Sequence, residues 1–291
     1  MVILKRTRHR NIVRLYEFFE TQKHILFVFE LCAGGDLLNY VRRRRRLKEE
    51  VAKVIFKQII EGLQYCHAKS IVHRDIKLDN ILLDVHGEVK ICDFGISKIV
   101  RSGEIMTEQC GTPAYIAPEI LRDKGYEGFQ CDVWSAGVVL FAMLYGTVPF
   151  KANNMSELQS LILKAKYTLK DDVSEEARSL LQGLLEKDPA KRLRPEQVLG
   201  HAWLRDTDES LPLFTEQEKE TVRQEFAYGD ARLNRNECTQ GGDVLFTEHM
   251  LDSTGNTLCK NATSKSVILA PFNSTKSDVG APLSEEIIGL I

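Results

Sequence analysis

Val72 to Asp84 reads VHRDIKLDNILLD, and the triplet Asp93-Phe94-Gly95 follows after a short apolar hairpin pattern. Asp75, Lys77 and Asn80 therefore share one loop, with a second acid brought near it across the hairpin. An acid, an ammonium and an amide in that arrangement suit the handling of phosphate and magnesium. Phosphoryl transfer leaves little covalent chemistry to a protein. It needs metals, positioning and a group that accepts the hydroxyl proton. Mg²⁺ takes oxygen ligands, which Asn80 and Asp93 can supply.

Working outward, ILLDVHGEVKIC (81–92) is two short apolar runs around a His-Gly turn, a hairpin. Upstream, Val51, Ile55, Ile59, Leu63 and Cys66 recur at helical spacing and make one apolar face. NIVRLYEFFE (11–20) and HILFVFE (24–30) read as an antiparallel strand pair joined by TQK, preceded by the last turns of a helix in VILKRTR. CDVWSAGVVLFAMLYG (131–146) is apolar on nearly every side, so a helix there is buried all round. SELQSLILKAK, SEEARSLLQGLLEK with Ser174 as N-cap, and PEQVLGHAWL are further helical patterns. Strands come first and helices after, which gives an α+β class with segregated lobes. Beyond Leu204, TEQEKETVRQEFA can form a helix. After it Gly, Asn, Thr and Ser dominate, as in a partly disordered tail.

Composition excludes little. The 291 residues are 43% hydrophobic and 27% charged, with a net charge of -2, so no global pull toward nucleic acid arises. Arg42 to Arg46 read as a solvated turn before the next helix, because no second basic cluster or interleaved aromatic residue accompanies them. No apolar run reads as a bilayer span and no secretion signal opens the chain, so no membrane partner is expected. Seven cysteines without a C-x-x-C pair suit reduced thiols and a cytoplasmic location. The sequons at Asn154, Asn261 and Asn273 are read as unmodified.

The motifs HRDIKLDN, DFG, GTPAYIAPE (111–119), DVWSAG (132–137) and DPAKRL followed by HAW (188–203) occur in order over residues 1–204. In this the chain resembles the eukaryotic protein kinase family, in particular serine/threonine kinases of the calcium/calmodulin-dependent and AMP-activated group. The resemblance implies a bilobal kinase-like fold: 1–30 a partial small β lobe, 31–204 the hinge and an intact large helical lobe, and 205–291 a tail. It implies ATP and Mg²⁺ as cofactors, protein serine or threonine hydroxyls as acceptors, and a monomeric catalytic unit. Asp75 would be the catalytic base, Lys77 would neutralise the transferring phosphoryl group, and Thr112 would hydrogen-bond toward both. Asn80 and Asp93 would hold metal. Glu30 and Cys32 match the hinge whose backbone pairs with adenine, Phe29 the gatekeeper, Asp36 the ribose partner and Leu82 the floor under adenine. Leu4, Leu15, His73 and Phe94 match an apolar column joining the lobes. Glu119 would pair with Arg192, and Asp132 would hold the catalytic-loop backbone. Asp36 and Asp79 suggest a preference for basic residues upstream of the acceptor, limited by Ala142 at a third position.

Between DFG and APE, Glu108 stands where many relatives carry a threonine that is phosphorylated. A carboxylate there can pair with Arg74 and Lys98. It offers one charge against about 1.5–2 for a phosphate. The segment is expected to be partly ordered without modification, with Thr107 as the neighbouring alternative site. Cys92 and Cys110 are read as small packing residues rather than redox switches.

No G-x-G-x-x-G is present, and neither the strand lysine nor the helix glutamate that pairs with it is found. The expectation is a kinase whose nucleotide-clamping strands precede Met1, with little activity in the chain by itself. A pseudokinase or non-catalytic interaction module is the alternative.

Overall fold

The computed structural model describes residues 2–20, 25–101, 103–122 and 124–233. Helix α1 (Val2–Arg6) leads to β1 (Leu15–Glu20) and β2 (Ile25–Phe29), which pair antiparallel with Phe18 opposite Phe27. Strand β1 starts later than the apolar run Asn11–Glu20 implies. Ile12 instead bridges in parallel to Ile91, the Ile91 amide donates to the Asn11 carbonyl, and the Val13 amide donates to the Ile91 carbonyl (both 2.9 Å). The start of that run is therefore spent on joining the small lobe to the large one. The TQK loop between the strands lies outside the described residues.

The large lobe follows in the order β3 (Gly35–Asp36), α2 (Leu37–Arg44), α3 (Glu49–Ala68), β4 (Ile71–Val72), β5 (Ile81–Leu83), β6 (Val89–Ile91) and β7 (Lys98–Ile99). Then come α4 (Gly128–Tyr145), α5 (Met155–Lys164), α6 (Glu175–Leu184), α7 (Pro195–Leu199) and α8 (Glu216–Leu233). β5 is central in the sheet β3-β5-β6, and β4 pairs with β7. α4 is the axis of the lobe. Cys131 to Leu144 are all buried, with α3 and α6 packed against the helix. By length and composition alone α4 would suit a bilayer. In the fold it is a core helix that carries Asp132 inward. It ends at Gly146 (φ 67°), where a Cβ would sit 2.0 Å from the Arg45 carbonyl, so only glycine fits.

Ser174 caps α6 as expected: its Oγ accepts from the Ala177 amide at 3.1 Å. The same residue is held by Glu49 in the first turn of α3. The Glu49 carboxylate accepts from the Ser174 amide and Oγ (both 2.6 Å) and from Trp203 Nε1 (2.7 Å). Burial works to raise the Glu49 carboxyl, and the hydrogen bonds from Ser174 and Trp203 outweigh it and hold it below the ordinary 4.5. Glu49→Ala is expected to lower unfolding free energy by about 1.5–3 kcal/mol at pH 7, measured by urea titration. A folded-state pKa below the unfolded one stabilises at higher pH, so the gap between variant and wild type should close as pH falls below 4.5.

Two helical expectations change. PEQVLGHAWL is not one helix: α7 stops at Gly200, and Ala202–Leu204 form a 3₁₀ turn capped by His201. Arg42 to Arg44 form the last turn of α2 rather than a free turn. Arg44 lies 3.7 Å over the Tyr40 ring and pairs with Glu218, and Arg46 pairs with Asp172. Nor is the arginine run alone. Lys5, Arg6, Arg8, Arg10 and Arg14 form a second basic stretch, with Lys5 over Phe18 (4.1 Å) and Arg10 beside Glu88 (3.7 Å).

The boundary at Leu204 is not an end of packing. Leu213 and Phe214 are buried with the core, and α8 covers much of TEQEKETVRQEFA. Residues 234–291, with Cys238, Cys259 and the last two sequons, lie outside the described residues. Asn154 N-caps α5, accepting from the Glu157 amide at 2.8 Å.

Candidate active site

The loop His73–Asn80 is held from below by Asp132 of α4. Its carboxylate accepts the backbone amides of His73 and Arg74 (both 2.9 Å) and a bond from His67 Nε2 (3.0 Å). Three donors offset the cost of a carboxylate that is 1% exposed. The Arg74 backbone is left-handed there (φ 72°), a conformation that the paired amides help to hold.

His73 sits above this anchor, fully buried. Its Nε2 donates to the Cys92 carbonyl (2.9 Å), its Nδ1 accepts from the Asp75 amide (3.3 Å), and its ring packs edge-on to Phe94 (4.8 Å). One nitrogen donating and one accepting describes a neutral ring. Burial lowers its pKa, against the opposing pull of Asp132. A depressed histidine stabilises the fold above its unfolded pKa and withdraws that support as pH falls. Stability should therefore drop as pH falls below 6.5, and the His73 resonances should not titrate through that value in the folded chain. A flat denaturant midpoint from pH 7 to about 5.5 would contradict this.

On the open side of the loop Asp75, Lys77, Asn80 and Thr112 form one network. Thr112 donates through Oγ1 (2.8 Å) and its amide (3.2 Å) to Asp75 Oδ1. Lys77 Nζ lies 2.9 Å from Asp75 Oδ2 and donates to Thr112 Oγ1 (3.0 Å). Asn80 Nδ2 donates to the Asp75 carbonyl (2.9 Å) and to Oδ2 (3.0 Å). Burial works to raise the Asp75 carboxyl. The hydrogen bonds from Lys77 and Thr112 and the Lys77 charge prevail and hold it below its ordinary value. Asp75 is thus an ionised, fixed acceptor at neutral pH.

Asn80 spends its amide hydrogens on Asp75, so its oxygen is left to face a ligand. The Cys92 amide donates to the Asn80 carbonyl (3.0 Å), which brings exposed Asp93 beside the loop. Asp93 has a left-handed backbone (φ 59°) and accepts from the Gly95 amide (3.1 Å). Among the described residues no three His, Cys, Asp or Glu side chains cluster for metal. An amide oxygen and a carboxylate, completed by water and phosphate oxygens, fit the way Mg²⁺ is held.

Leu82 lies opposite Asp36 in the β3–β5 register and is only half-buried, while Ile81 and Leu83 beside it are fully buried. Leu82 and Asp36 thus share the open face of the ribbon. Asp36 also N-caps α2, accepting from the Asn39 amide at 2.8 Å. The Glu30 side chain accepts from the Arg14 amide (2.7 Å) and pairs with Lys90 (3.1 Å). The Cys32 carbonyl accepts from the Gly35 amide (3.2 Å), which competes with any other donor to it. Half-buried Phe29 stacks at 6.0 Å on Phe27. Asp79 is exposed, whereas Ala142 is fully buried in α4.

In the activation segment Glu108 lies 3.4 Å from Lys98 and 3.7 Å from Arg74. Its own backbone amide, then Lys98 and Arg74, hold its carboxyl low. Exposed Thr107 is adjacent. Sequence reasoning missed Glu104, which pairs with Lys98 at 3.2 Å, and Tyr126, whose hydroxyl donates to the Glu108 carbonyl (2.6 Å). The backbone exchange between Met106 and Tyr126 fixes the segment further. Glu104 is held within its own segment, by Lys98 and the Arg101 amide, while Tyr126 reaches Glu108 from a later part of the chain, so neither carries a periodic signal. At the far end Glu119 meets Arg192 in a bidentate pair (2.6 and 2.9 Å).

Comparison with known proteins places this geometry. The protein kinase domain model matches residues 1–204. CBL-interacting protein kinase 3 of Oryza sativa subsp. japonica is 40% identical over 214 residues, 72% of this chain and 48% of the relative. CBL-interacting serine/threonine-protein kinase 12 of Arabidopsis thaliana is 39% identical over 75% of this chain and 45% of the relative. Serine/threonine protein kinase OSK3 of Oryza sativa subsp. indica is 42% identical over 69% of this chain and 40% of the relative. The chain spans about half the length of the curated relatives it matches. With its α+β architecture and the loop geometry above, it belongs to the protein kinase family.

Proposed function

We propose that the whole protein transfers the terminal phosphate of ATP, with Mg²⁺, to serine or threonine hydroxyls of protein substrates. The observation that carries this is the network in which Lys77, Thr112 and Asn80 fix the ionised Asp75 carboxylate. Asp75 accepts the acceptor hydroxyl proton. Lys77, 2.9 Å away, screens the charge on the phosphoryl group in transit. Thr112 ties the acceptor-binding segment to the base. Asn80 and Asp93 would hold Mg²⁺, which draws charge from the phosphate oxygens when bound. Leu82 and Asp36 take the nucleotide. Asp36 and exposed Asp79 supply negative charge for an upstream basic residue in the substrate. Burial pushes the Cys32, Cys66 and Cys92 thiols up to about 12, so they stay protonated, in keeping with a reducing cytoplasm.

The test is transfer of labelled terminal phosphate to peptides with Ser, Thr or Tyr acceptors, each with and without upstream Arg. Labelling of Ser and Thr peptides alone supports the acceptor class. Equal labelling without the upstream Arg removes the basic preference. Nucleotide binding without any transfer by the full-length protein favours the non-catalytic reading.

Glu108 does part of the work of a phosphate by bridging Arg74 and Lys98. Glu108→Ala is expected to lower transfer several-fold and to speed proteolysis between residues 101 and 111. Unchanged rates of both would show that the carboxylate is merely solvated.

A further inference from the structure

Residues 208–218 lie beyond the matched kinase region, yet they are bolted to it at five places. Glu209 pairs with Lys57 of α3. Leu213 packs on the hairpin turn, where a Cβ on Gly87 would meet its Cγ at 3.4 Å. The Tyr40 hydroxyl of α2 donates to the Leu213 carbonyl (2.6 Å), and the Tyr40 ring meets Phe214 edge-on at 5.4 Å. Arg44 reaches Glu218, which closes a capping box with Thr215 at the start of α8: each side chain accepts the other's amide (2.8 and 3.2 Å).

The fifth contact is the informative one. A Cβ on Gly34 would stand 2.6 Å from Phe214 Cζ and 2.8 Å from the Leu83 carbonyl. The Phe214 ring therefore presses directly on the Gly34 backbone, at the point where the Gly34 amide donates to Leu83 (2.9 Å) and β3 joins β5. Side chains alternate across such a ribbon. Leu37 and Leu83 turn inward and are fully buried, while Asp36 and Leu82 face the open side.

We propose that Leu213 and Phe214 are positioning residues for the nucleotide face: they clamp the Gly34–Asp36 ribbon onto β5 from behind and so fix Asp36 and Leu82 in front. This rests on the nucleotide reading of that face given above. Residues 208–218 are on this account a working part of the kinase unit, and α8 is connected through them to the hinge.

The test compares the whole protein with its Phe214→Ala, Phe214→Leu and Tyr40→Phe variants by amide hydrogen exchange and by equilibrium binding of Mg-ATP. For Phe214→Ala, exchange over residues 33–38 should rise about tenfold while α4 amides are unchanged. Mg-ATP affinity should fall about three- to tenfold. Phe214→Leu should restore most of both, and Tyr40→Phe should shift both in the same direction by less. If α4 exchange also rises in Phe214→Ala, the milder Tyr40→Phe decides by the same two readouts. Unchanged exchange over 33–38, or faster exchange with unchanged Mg-ATP affinity, overturns the positioning role alone. A whole protein that binds no Mg-ATP overturns the nucleotide reading and the positioning role with it.

Discussion

Replacing Arg192 by methionine is expected to destabilise the helical lobe by about 3–5 kcal/mol, the cost of leaving a buried charge without its partner. The Arg192 side chain is 0% exposed and that of Glu119 is 7% exposed. The guanidinium also donates to the carbonyls of Glu186 (2.9 Å) and Gln130 (2.6 Å) and lies 5.0 Å over the Trp134 ring. Methionine fills much of the space but satisfies none of these acceptors, and the Glu119 carboxylate must then take up a proton or admit water. Adding Glu119→Gln should recover a large part of the loss, because the orphaned charge is gone. Urea titration of the single and double variants checks this. A single variant within about 1 kcal/mol of wild type would mean that the pair is not desolvated in solution.

Asp75→Asn is expected to lower phosphate transfer by the whole protein about 10²- to 10⁴-fold, the range for loss of a general base. That corresponds to about 2.7–5.4 kcal/mol of barrier at 1.36 kcal/mol per decade. The Michaelis constant for ATP should move little, because Asp75 faces the acceptor hydroxyl and its amide oxygen still accepts from Thr112. Thermal stability should fall modestly, because the new amide keeps the Thr112 bonds at Oδ1 but loses those from Lys77 and Asn80 at Oδ2, and a folded variant without transfer separates lost chemistry from lost fold. Since Lys77 and Thr112 hold the carboxyl below its ordinary value, no acid limb from Asp75 should appear between about pH 5.5 and 8. Equal transfer by variant and wild type would end the catalytic assignment.

Much of this was legible in the chain. The helical spacing of Ile55, Ile59 and Leu63 predicted α3. The all-round apolar composition of residues 131–146 predicted the buried axis α4. HRDIKLDN and DFG located the loop and the acid, Asp93, that lies beside it. These are local signals: periodicity, capping and loop spacing act within a few turns of chain, so one segment suffices to read them.

Other features were decided by contacts between distant segments. Ile12 and Val13 have the composition of a strand, but Ile91 claims their backbone hydrogen bonds, and β1 begins only at Leu15. The arginine run looked like a solvated turn, yet Glu218 binds Arg44 and Asp172 binds Arg46 from two distant places. The segment after Leu204 read as a tail because its polar composition hides two buried residues, Leu213 packed at Gly87 and Phe214 packed on Gly34. By itself the sequence determined which polar residues share the loop and which helices enclose it, because loop spacing and helical faces are set by residue type and spacing. Only the tertiary structure decided where backbone and charge find their partners, because a hydrogen bond or ion pair between remote segments has no period and no local mark until the chain has closed on itself.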